Sequence, residues 1–490
     1  MNNSNSIVRN LLSITTGQIL NLILSFLSIT LAARMLGVND FGNFGYLLAV
    51  VSLISKIMDL GFTPIVFREL SINKNNFGLL NNALTIRLIA FGIVISGFNA
   101  FLFVTNADTT QIMLANIILL NTVFSAKFVC VRELLDVPFK VNLKMHYPMI
   151  VTNIDNILLL IGVLLLPVFN NSIVFFISIY TISNIPGFIL VLYILKKQFG
   201  YTFKPVILIN KWLIVQSLPI FGAIILDTAY TQMDVVILKW SSGLYHAGLY
   251  SGALRLVMPL LLFPTAIIYT IFPVLSKNQS VKGNDEFYIK LIIKVISIFA
   301  VLIFFGFLFK EEVLIVMVYG IKFKEAALPT SLLLFAQIFL FYNFFLINVL
   351  IAYKKQSANF KYSLLILSLH LLISFFIAPH YNSMGVAISK IFSGFIGSIF
   401  VTYTILSFNK NIKLFDNRIF YFAGIIGILF FLFSYFSIYI YIFLSAIFSV
   451  IIILITKLFT SDEIYYMFGL LNKPELAEKI VNNKILKYFI

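Results

Sequence analysis

The sequence has few of the residues that form disulfides, metal sites and solvated surfaces. Among 490 residues there are one cysteine and four histidines, and charged residues make up 11%. A single cysteine excludes an internal disulfide and a multi-cysteine metal site, and the scattered histidines form no ligand cluster. With 60% hydrophobic residues and less than half the charged fraction of ordinary soluble domains, the chain cannot be a water-soluble domain.

Catalytic motifs and large hydrophilic loops are also absent. The predicted connections are short, and none carries a clustered Asp/Glu/His set, a glycine-rich phosphate loop or a nucleophile elbow. A lipid-dependent glycosyltransferase or polysaccharide polymerase needs such an aqueous platform. The sequence therefore predicts a protein that is not an enzyme, needs no metal or cofactor, and moves a substrate instead of transforming it.

Long apolar runs recur along the chain instead. A membrane-crossing helix needs about 20 apolar residues, because the hydrocarbon layer is about 30 Å thick and each residue rises about 1.5 Å. The runs are continuous and lack the alternation of outer-membrane strands, so we predict an all-α integral membrane protein. About 14 transmembrane helices are predicted, at 11–34, 44–66, 82–104, 110–131, 147–169, 172–195, 213–238, 249–275, 287–309, 328–352, 361–379, 383–407, 417–436 and 438–458.

Lysine and arginine are distributed unevenly between alternate loops. Most of them fall on one side, and the other side has only Arg34, Lys239, Lys310, Lys322 and Lys324. Because positive loops face the cytoplasm, both termini are predicted to be cytoplasmic and the protein to lie in the inner (plasma) membrane. This topology explains most of the net charge of +16, so no nucleic-acid partner is expected.

Two segments are predicted to lie along the membrane. Segment 310–327 reads as a short interfacial helix with a turn at Gly320. The tail from about 460 reads as amphipathic helices capped by Ser461 or Asp462, with its lysines on anionic headgroups or on a biosynthetic partner. Deleting 461–490 is expected to leave folding and insertion intact.

An internal repeat is predicted from two similar triplets. Gly-Asn-Phe at 42–44 and Gly-Leu-Tyr at 248–250 are separated by 206 residues, and this offset carries helices 1–6 onto helices 7–12. A pseudo-two-fold pair of six-helix lobes is predicted. The corresponding domains are the amino-terminal lobe 1–198, the carboxy-terminal lobe 199–409, two extra helices in 410–459 and a cytoplasmic tail 460–490.

Ionisable and polar residues inside the apolar runs are the candidate site residues, because burying a charge in a membrane is costly and such groups usually face a cavity. Cations outnumber acids, which favours an anionic substrate bound by arginine and lysine. The alternative, pairing within the protein or snorkelling, stays open. The predicted substrate-binding residues are Arg87, Arg255, Lys56, Arg34 and Lys390, and a polar stripe on the first helix consists of Gly17, Asn21 and Ser25.

Two acids on the seventh helix are candidates for ion coupling. Asp227 and Asp234 are seven residues apart and thus nearly on one face, with Thr228 and Thr231 beside them. Such carboxylates can exchange H⁺ or bind Na⁺. A structural or salt-bridge role is the alternative for both, and Asp227 is expected to lie deeper.

Several short motifs carry a resemblance to a known family. They are Arg34-Met35-Leu36-Gly37, Phe41-Gly42-Asn43-Phe44, Asp59-Leu60-Gly61-Phe62, Arg68-Glu69, Leu218-Pro219, Asp234-Val235-Val236-Ile237-Leu238, Gly248-Leu249-Tyr250, Phe272-Pro273 and Tyr319-Gly320-Ile321-Lys322-Phe323. In this order, over nearly the entire chain, they resemble oligosaccharide flippases of the multidrug/oligosaccharidyl-lipid/polysaccharide exporter superfamily.

The resemblance implies a function. It suggests alternating access between two lobes, with a polyprenyl-pyrophosphate-linked oligosaccharide moving to the outer leaflet for O-antigen, capsule or exopolysaccharide synthesis. It also suggests coupling to H⁺ or Na⁺, and a polysaccharide polymerase and glycosyltransferases as partners. A multidrug exporter and a peptidoglycan-precursor (lipid II) flippase of the same fold are the alternatives.

Overall fold

The computed structural model describes residues 2–470 apart from 75, 107, 129, 207–209, 278–283, 409–413 and 415, together with 475, 478 and 481. Every regular element in this part of the chain is a helix, so the all-α prediction is confirmed. The α-helices are α1 Asn2–Leu36, α2 Val38–Asp59, α3 Phe62–Ile72, α4 Phe77–Val104, α5 Thr109–Leu119, α6 Asn121–Phe124, α7 Val131–Val141, α8 His146–Leu164, α9 Ile173–Ile182, α10 Ile185–Phe199, α11 Lys211–Val257, α12 Leu262–Lys277, α13 Asn284–Leu308, α14 Glu311–Tyr319, α15 Ala327–Ala352, α16 Gln356–Phe408, α17 Arg418–Phe433, α18 Ile438–Ile455 and α19 Ser461–Leu470.

Ten helical stretches are long and apolar enough to cross a membrane. Two of them, Lys211–Ile268 and Gln356–Ser407, contain 58 and 52 residues, more than twice the length of one crossing. Each leaves helical geometry once, at Gly243 and at Asn382. Two shorter apolar helices are Thr109–Phe124 and Arg418–Phe433. The described residues thus accommodate the fourteen predicted crossings.

Two glycines with nearly the same backbone angles end the first and the seventh predicted spans. Gly37 (φ 82°, ψ 178°) separates α1 from α2, and Gly243 (φ 86°, ψ 176°) interrupts α11. A positive φ strains any residue that carries a Cβ, which explains glycine at both turns. The two positions are 206 residues apart, the spacing predicted from the triplets at 42–44 and 248–250.

The two triplets lie where α2 contacts the second half of α11. A Cβ on Gly42 would overlap the carbonyl oxygen of Leu244, and a Cβ on Gly248 would overlap the carbonyl oxygen of Val38. Leu244 and Gly248 lie 206 residues after Val38 and Gly42, so the repeat relates the two contacts to each other. Helix backbones approach this closely only where side chains are absent.

We expect Gly42→Leu or Gly248→Leu to destabilise the purified protein by about 1–3 kcal/mol, the usual effect of overpacking an interior. Gly92→Leu on α4 is the matched control, because a Cβ at Gly92 would meet no atom within 4 Å. Thermal unfolding in detergent measures the effect. Equal unfolding temperatures for Gly42→Leu and Gly92→Leu would show that the contact tolerates a side chain.

The chain forms two compact units. The first contains Met1–Arg255 with Ser374–Ser383, and the second contains Leu256–Ile373 with Met384–Ile490. In the first unit, the Ser242 hydroxyl donates to the carbonyl oxygen of Ala378 at 3.2 Å, which ties the segment from α16 to α11. The predicted domain bounds follow the sequence repeat and stay a prediction.

Segment 310–327 contains a short helix followed by a turn, as predicted. Helix α14 spans the nine residues Glu311–Tyr319 and ends at Gly320, which has a φ of 87°. Nine residues rise about 14 Å, which is too short to cross a layer of about 30 Å.

The beginning of the carboxy-terminal tail is held by a buried ion pair. The Lys294 ammonium donates to both carboxylate oxygens of Glu463 at 2.9 Å and to the carbonyl oxygen of Leu458 at 2.7 Å, and Asp416 lies 3.3 Å away. Thr460 caps α19 in place of the predicted Ser461 or Asp462: the Thr460 N–H donates to Glu463, and the Glu463 N–H donates to the Thr460 hydroxyl. The tail lysines 473, 479, 484 and 487 lie outside the described residues.

Deleting residues 461–490 is therefore expected to destabilise the second unit, contrary to the expectation from sequence. Lys294 would stay buried without Glu463 and keep only Asp416 as an ion-pair partner at 3.3 Å. Complete loss of a buried partner typically costs about 3–5 kcal/mol, so a smaller loss is expected here. Glu463→Gln should reproduce much of the loss, whereas deleting only 482–490 should not. The yield and unfolding temperature of the purified variants provide the comparison. Wild-type stability in Glu463→Gln would contradict this role of the pair.

Candidate functional site

The fourth predicted helix is broken close to its predicted cytoplasmic end. Helix α6 ends at Phe124, Ser125 is extended (φ −96°, ψ 136°), and a 3-10 turn at Ala126–Phe128 precedes α7. The predicted span 110–131 is therefore wrong at its end. The apolar helix stops at 124, and the amphipathic α7 continues the chain.

Two buried arginines bind the backbone on either side of the break. Arg87 Nη1 donates to the carbonyl oxygen of Cys130 at 2.5 Å, and Arg132 Nη1 donates to the carbonyl oxygen of Phe124 at 3.2 Å. The Cys130 carbonyl also accepts from the Leu134 N–H at 3.3 Å, as the first carbonyl of α7. The Phe124 carbonyl is released from the preceding helix, and a buried carbonyl of this kind needs a donor, which the guanidinium of Arg132 supplies. Arg132 therefore explains why the helix can open here within a packed bundle.

Arg87 was predicted to bind a substrate phosphate, and the structure places it among protein partners. Its side chain is fully buried, forms an ion pair with Asp59 and donates to the Thr63 hydroxyl at 2.8 Å. This placement favours the pairing alternative that the sequence left open. We propose that Arg87 stabilises the break and does not contact the substrate.

Arg132 forms the second buried ion pair of the break. Its Nη1 lies 2.5 Å from Asp155 Oδ2 on α8, and both side chains are almost completely buried. A Cβ on Gly187 would overlap Asp155 Oδ1, so glycine at this position makes room for the carboxylate. The sequence analysis assigned Arg132 to a loop and therefore did not include it among the candidate site residues. The only signal was that apolar residues continue beyond it, as far as Phe139.

Two half-buried cations, Lys127 and Arg255, lie beside the break. Lys127 Nζ lies 5.2 Å from the centre of the Tyr180 ring, which packs edge-on against Phe44 of α2. Arg255 is within electrostatic range of both Lys127 and Tyr180. Within the part of the chain that the structure describes, no carboxylate lies at ion-pair distance from either cation. Sequence reasoning identified Arg255 but assigned Lys127 to a cytoplasmic loop.

Of the other predicted cations, Lys56 comes near the break, because it is within electrostatic range of Arg87 and Cys130. Lys56 on α2 is partly buried and within electrostatic range of Glu133 and Asp227. Arg34 is exposed at the end of α1, and Lys390 is buried in the second unit; both have interactions within the described residues. Their roles in substrate binding stay predictions.

The polar stripe of α1 is partly exposed along its length at Gly17, Asn21 and Ser25. A Cβ on Gly17 would come within 2.9 Å of Met149 Cβ on α8. Close packing of α1 against α8 is therefore one role of Gly17, and the lining of a cavity by the stripe stays a prediction.

The two acids of α11 differ in burial. Asp227 is exposed, whereas Asp234 is fully buried and accepts a hydrogen bond from the Tyr250 hydroxyl, in the second triplet, at 2.6 Å. The greater depth of Asp227 in the membrane stays a prediction. Ion coupling through either acid stays a prediction.

The two cations beside the break are of the kind that bind anions. Among the described residues no group of three His, Cys, Asp or Glu side chains could ligate a metal. Lys127 and Arg255 provide ammonium and guanidinium donors of the kind that bind phosphate.

Comparison with known proteins places the chain in a family. Residues 7–279, more than half of the sequence, match the family described as polysaccharide biosynthesis protein. The chain belongs to the polysaccharide biosynthesis protein family. The match includes the broken helix and all of α11.

A curated relative supports this family assignment over a longer stretch. The capsular polysaccharide biosynthesis protein CapF of Staphylococcus aureus is 24% identical over 408 residues, which cover 81% of this chain and 98% of the relative.

Solved structures share the fold of this family member. The lipid II flippase MurJ in an inward closed conformation superposes with a TM-score of 0.71 at 16% identity, covering 95% of this chain and all of the other. An inward-facing multidrug resistance transporter of the MATE family gives 0.60 at 13% identity, covering 80% and 96%. At such low identity these similarities establish the fold of a multi-pass membrane transporter.

Proposed function

We propose that the chain flips a lipid-linked oligosaccharide, carried on undecaprenyl or a similar polyprenyl pyrophosphate, from the cytoplasmic to the outer leaflet. The product would serve capsule, O-antigen or exopolysaccharide synthesis. Family membership, the relative CapF and a fold shared with a lipid flippase support this proposal. The protein would act as a transporter, with no chemical conversion of the substrate.

The single observation that carries the proposal is the pair Lys127 and Arg255 beside the broken helix. Charges placed among apolar helices are costly, so they persist where they bind something. Neither cation has a carboxylate partner in the described structure, and a pyrophosphate group would neutralise both. The lipid and sugar parts of the substrate are less constrained by these contacts.

The direction of transport follows from the proposed topology. An even number of crossings and the excess of lysine and arginine on one side favour cytoplasmic termini in the inner membrane. In this orientation the turns at Gly37 and Gly243 lie on the outer side. We propose that the contact of Gly42 and Gly248 closes this side and separates during alternating access.

The test is the location of the oligosaccharide lipid in cells that lack the protein. Membrane vesicles of known sidedness, probed with a lectin, should show the lipid restricted to the cytoplasmic leaflet until the gene is restored. Cells lacking the protein should keep normal lipid II transport and normal resistance to cationic dyes. A defect in lipid II transport or in dye resistance, with normal oligosaccharide distribution, would support the peptidoglycan-precursor flippase or the multidrug exporter instead.

A further inference from the structure

Helix α7 carries two buried charged residues one turn apart. Arg132 is fully buried and Asp136 is 6% exposed. Residues four apart in a helix lie on the same side, so Asp136 is a neighbour of Arg132 on α7. The guanidinium of Arg132 is bonded to a second carboxylate, that of Asp155 on α8, at 2.5 Å.

The hydrogen bonds of this cluster are incomplete. Among the described residues, Arg132 Nε and Nη2 have no acceptor, and Asp136 Oδ1 has no donor. Buried polar groups of proteins are nearly always paired, and exceptions often mark a functional role. Here unused donors and an unused acceptor lie within one helical turn, so Arg132 has a second place to bond.

We propose that Asp136, Arg132 and Asp155 form a proton-binding switch, in which Asp136 takes up a proton when Arg132 binds Asp155 and gives it up when Arg132 turns to Asp136. A hydronium ion transfers its proton to the Asp136 carboxylate and leaves water, and the reverse step returns the proton to water. In this structure Arg132 binds Asp155, which corresponds to protonated Asp136.

The surroundings of Asp136 favour its neutral form in this arrangement. Burial raises the pKa of Asp136 to about 7, although Arg132 and Lys140 oppose the increase. The charged groups that act on it are Arg132, Lys140 and Glu133 on α7 and Asp155 on α8. Glu133 and Lys140 pair with each other at 3.2 Å near the surface of the bundle.

The switch connects to the anion site through Lys127. This lysine is within electrostatic range of Asp155, Arg132 and Arg255. While Arg132 neutralises Asp155, Lys127 is available to a phosphate; once Arg132 moves to ionised Asp136, the freed Asp155 attracts Lys127. Substrate binding should therefore be accompanied by proton uptake. This coupling rests on the proposed function, whereas the proton site itself does not.

The proton site is tested first without any substrate. For a carboxyl group with a raised pKa, the folded protein holds a proton that the unfolded chain releases, so stability falls as pH rises from about 4 to about 7. The unfolding temperature of the wild type should fall over this interval relative to Asp136→Asn, which cannot ionise. Glu312→Gln, at an exposed carboxylate that pairs with Lys324, is the control and should follow the wild type. Parallel curves for wild type and Asp136→Asn would overturn the proposal.

The coupling is tested with flipping in vesicles under an imposed pH gradient. Wild type and Asp136→Glu should respond to the gradient, whereas Asp136→Asn should flip at a rate that no longer depends on it. An unchanged response of Asp136→Asn, or a response to a sodium gradient alone, would refute the coupling. If Asp136→Asn does not fold, the infrared band of a neutral carboxyl group near pH 7 decides the proton site. The band should shift between wild type and Asp136→Glu, and an identical band in both would refute the site. If wild type flips no lipid, the proposed function fails while the pH dependence of stability still decides the proton site.

Discussion

Lys127→Ala is expected to reduce oligosaccharide-lipid flipping by about 10- to 150-fold, with the protein still folded. The estimate follows from a charged hydrogen bond worth about 1.5–3 kcal/mol. Lys127 lies in the break of the fourth span, where it stacks on Tyr180 at 5.2 Å and has no carboxylate partner in the described structure. Its removal should therefore affect binding of the anionic group more than packing.

The same experiment should be repeated with Arg255, the cation next to Lys127. Arg255→Ala should produce a loss of similar size, and the double variant should lose less than the product of the two effects, because both cations contact one pyrophosphate. Lys211, exposed at the start of α11, provides the control variant Lys211→Ala. Rates are measured in vesicles at equal protein content. Wild-type flipping by folded Lys127→Ala and Arg255→Ala would remove both residues from the site.

Arg87→Ala is expected to destabilise the protein by about 3–5 kcal/mol and to abolish recovery of folded material. The change leaves the buried Asp59 without its ion-pair partner and removes one of the donors to the Cys130 carbonyl. Replacing both partners, in Arg87→Met with Asp59→Leu, should restore much of the stability, since an apolar pair removes both buried charges. Size-exclusion profiles and unfolding temperatures measure the two effects.

The double variant also separates the two interpretations of Arg87. If the residue only stabilises the break, the folded double variant should flip lipid at a rate close to that of the wild type. If Arg87 instead binds the phosphate, as the sequence predicted, restored folding would be accompanied by lost transport. Stability close to wild type in Arg87→Ala would contradict the structural role.

The helices could be predicted from sequence because hydropathy and length alone decide whether a segment crosses a membrane. The repeat was also predictable, since the triplets at 42–44 and 248–250 preserve glycine where backbones meet. The break in the fourth helix could not be predicted. Arg132 donates to the Phe124 carbonyl and Arg87 donates to the Cys130 carbonyl, and the contact between Arg87 and Cys130 joins residues 43 positions apart.

The candidate site could be predicted from the sequence only in part, because its contacts also join residues that are distant along the chain. Arg255 stands out as a lone arginine in an apolar run, but Lys127, near the end of the predicted span 110–131, was counted with the positive charges of the cytoplasmic side. Arg87 looked equally isolated, and only the fold brings Asp59 to it. Burial of Asp234 likewise depends on Tyr250, a partner 16 residues away across the turn at Gly243.

The most direct test of the central claim is flipping of a defined lipid by the purified protein in sealed vesicles. The substrate is a polyprenyl-pyrophosphate oligosaccharide, compared with the same oligosaccharide on an uncharged polyprenyl ether. We expect rapid transfer of the pyrophosphate lipid, little transfer of the neutral one, and loss of this preference in Lys127→Ala with Arg255→Ala. Equal transfer of both lipids by the wild type would contradict the claim.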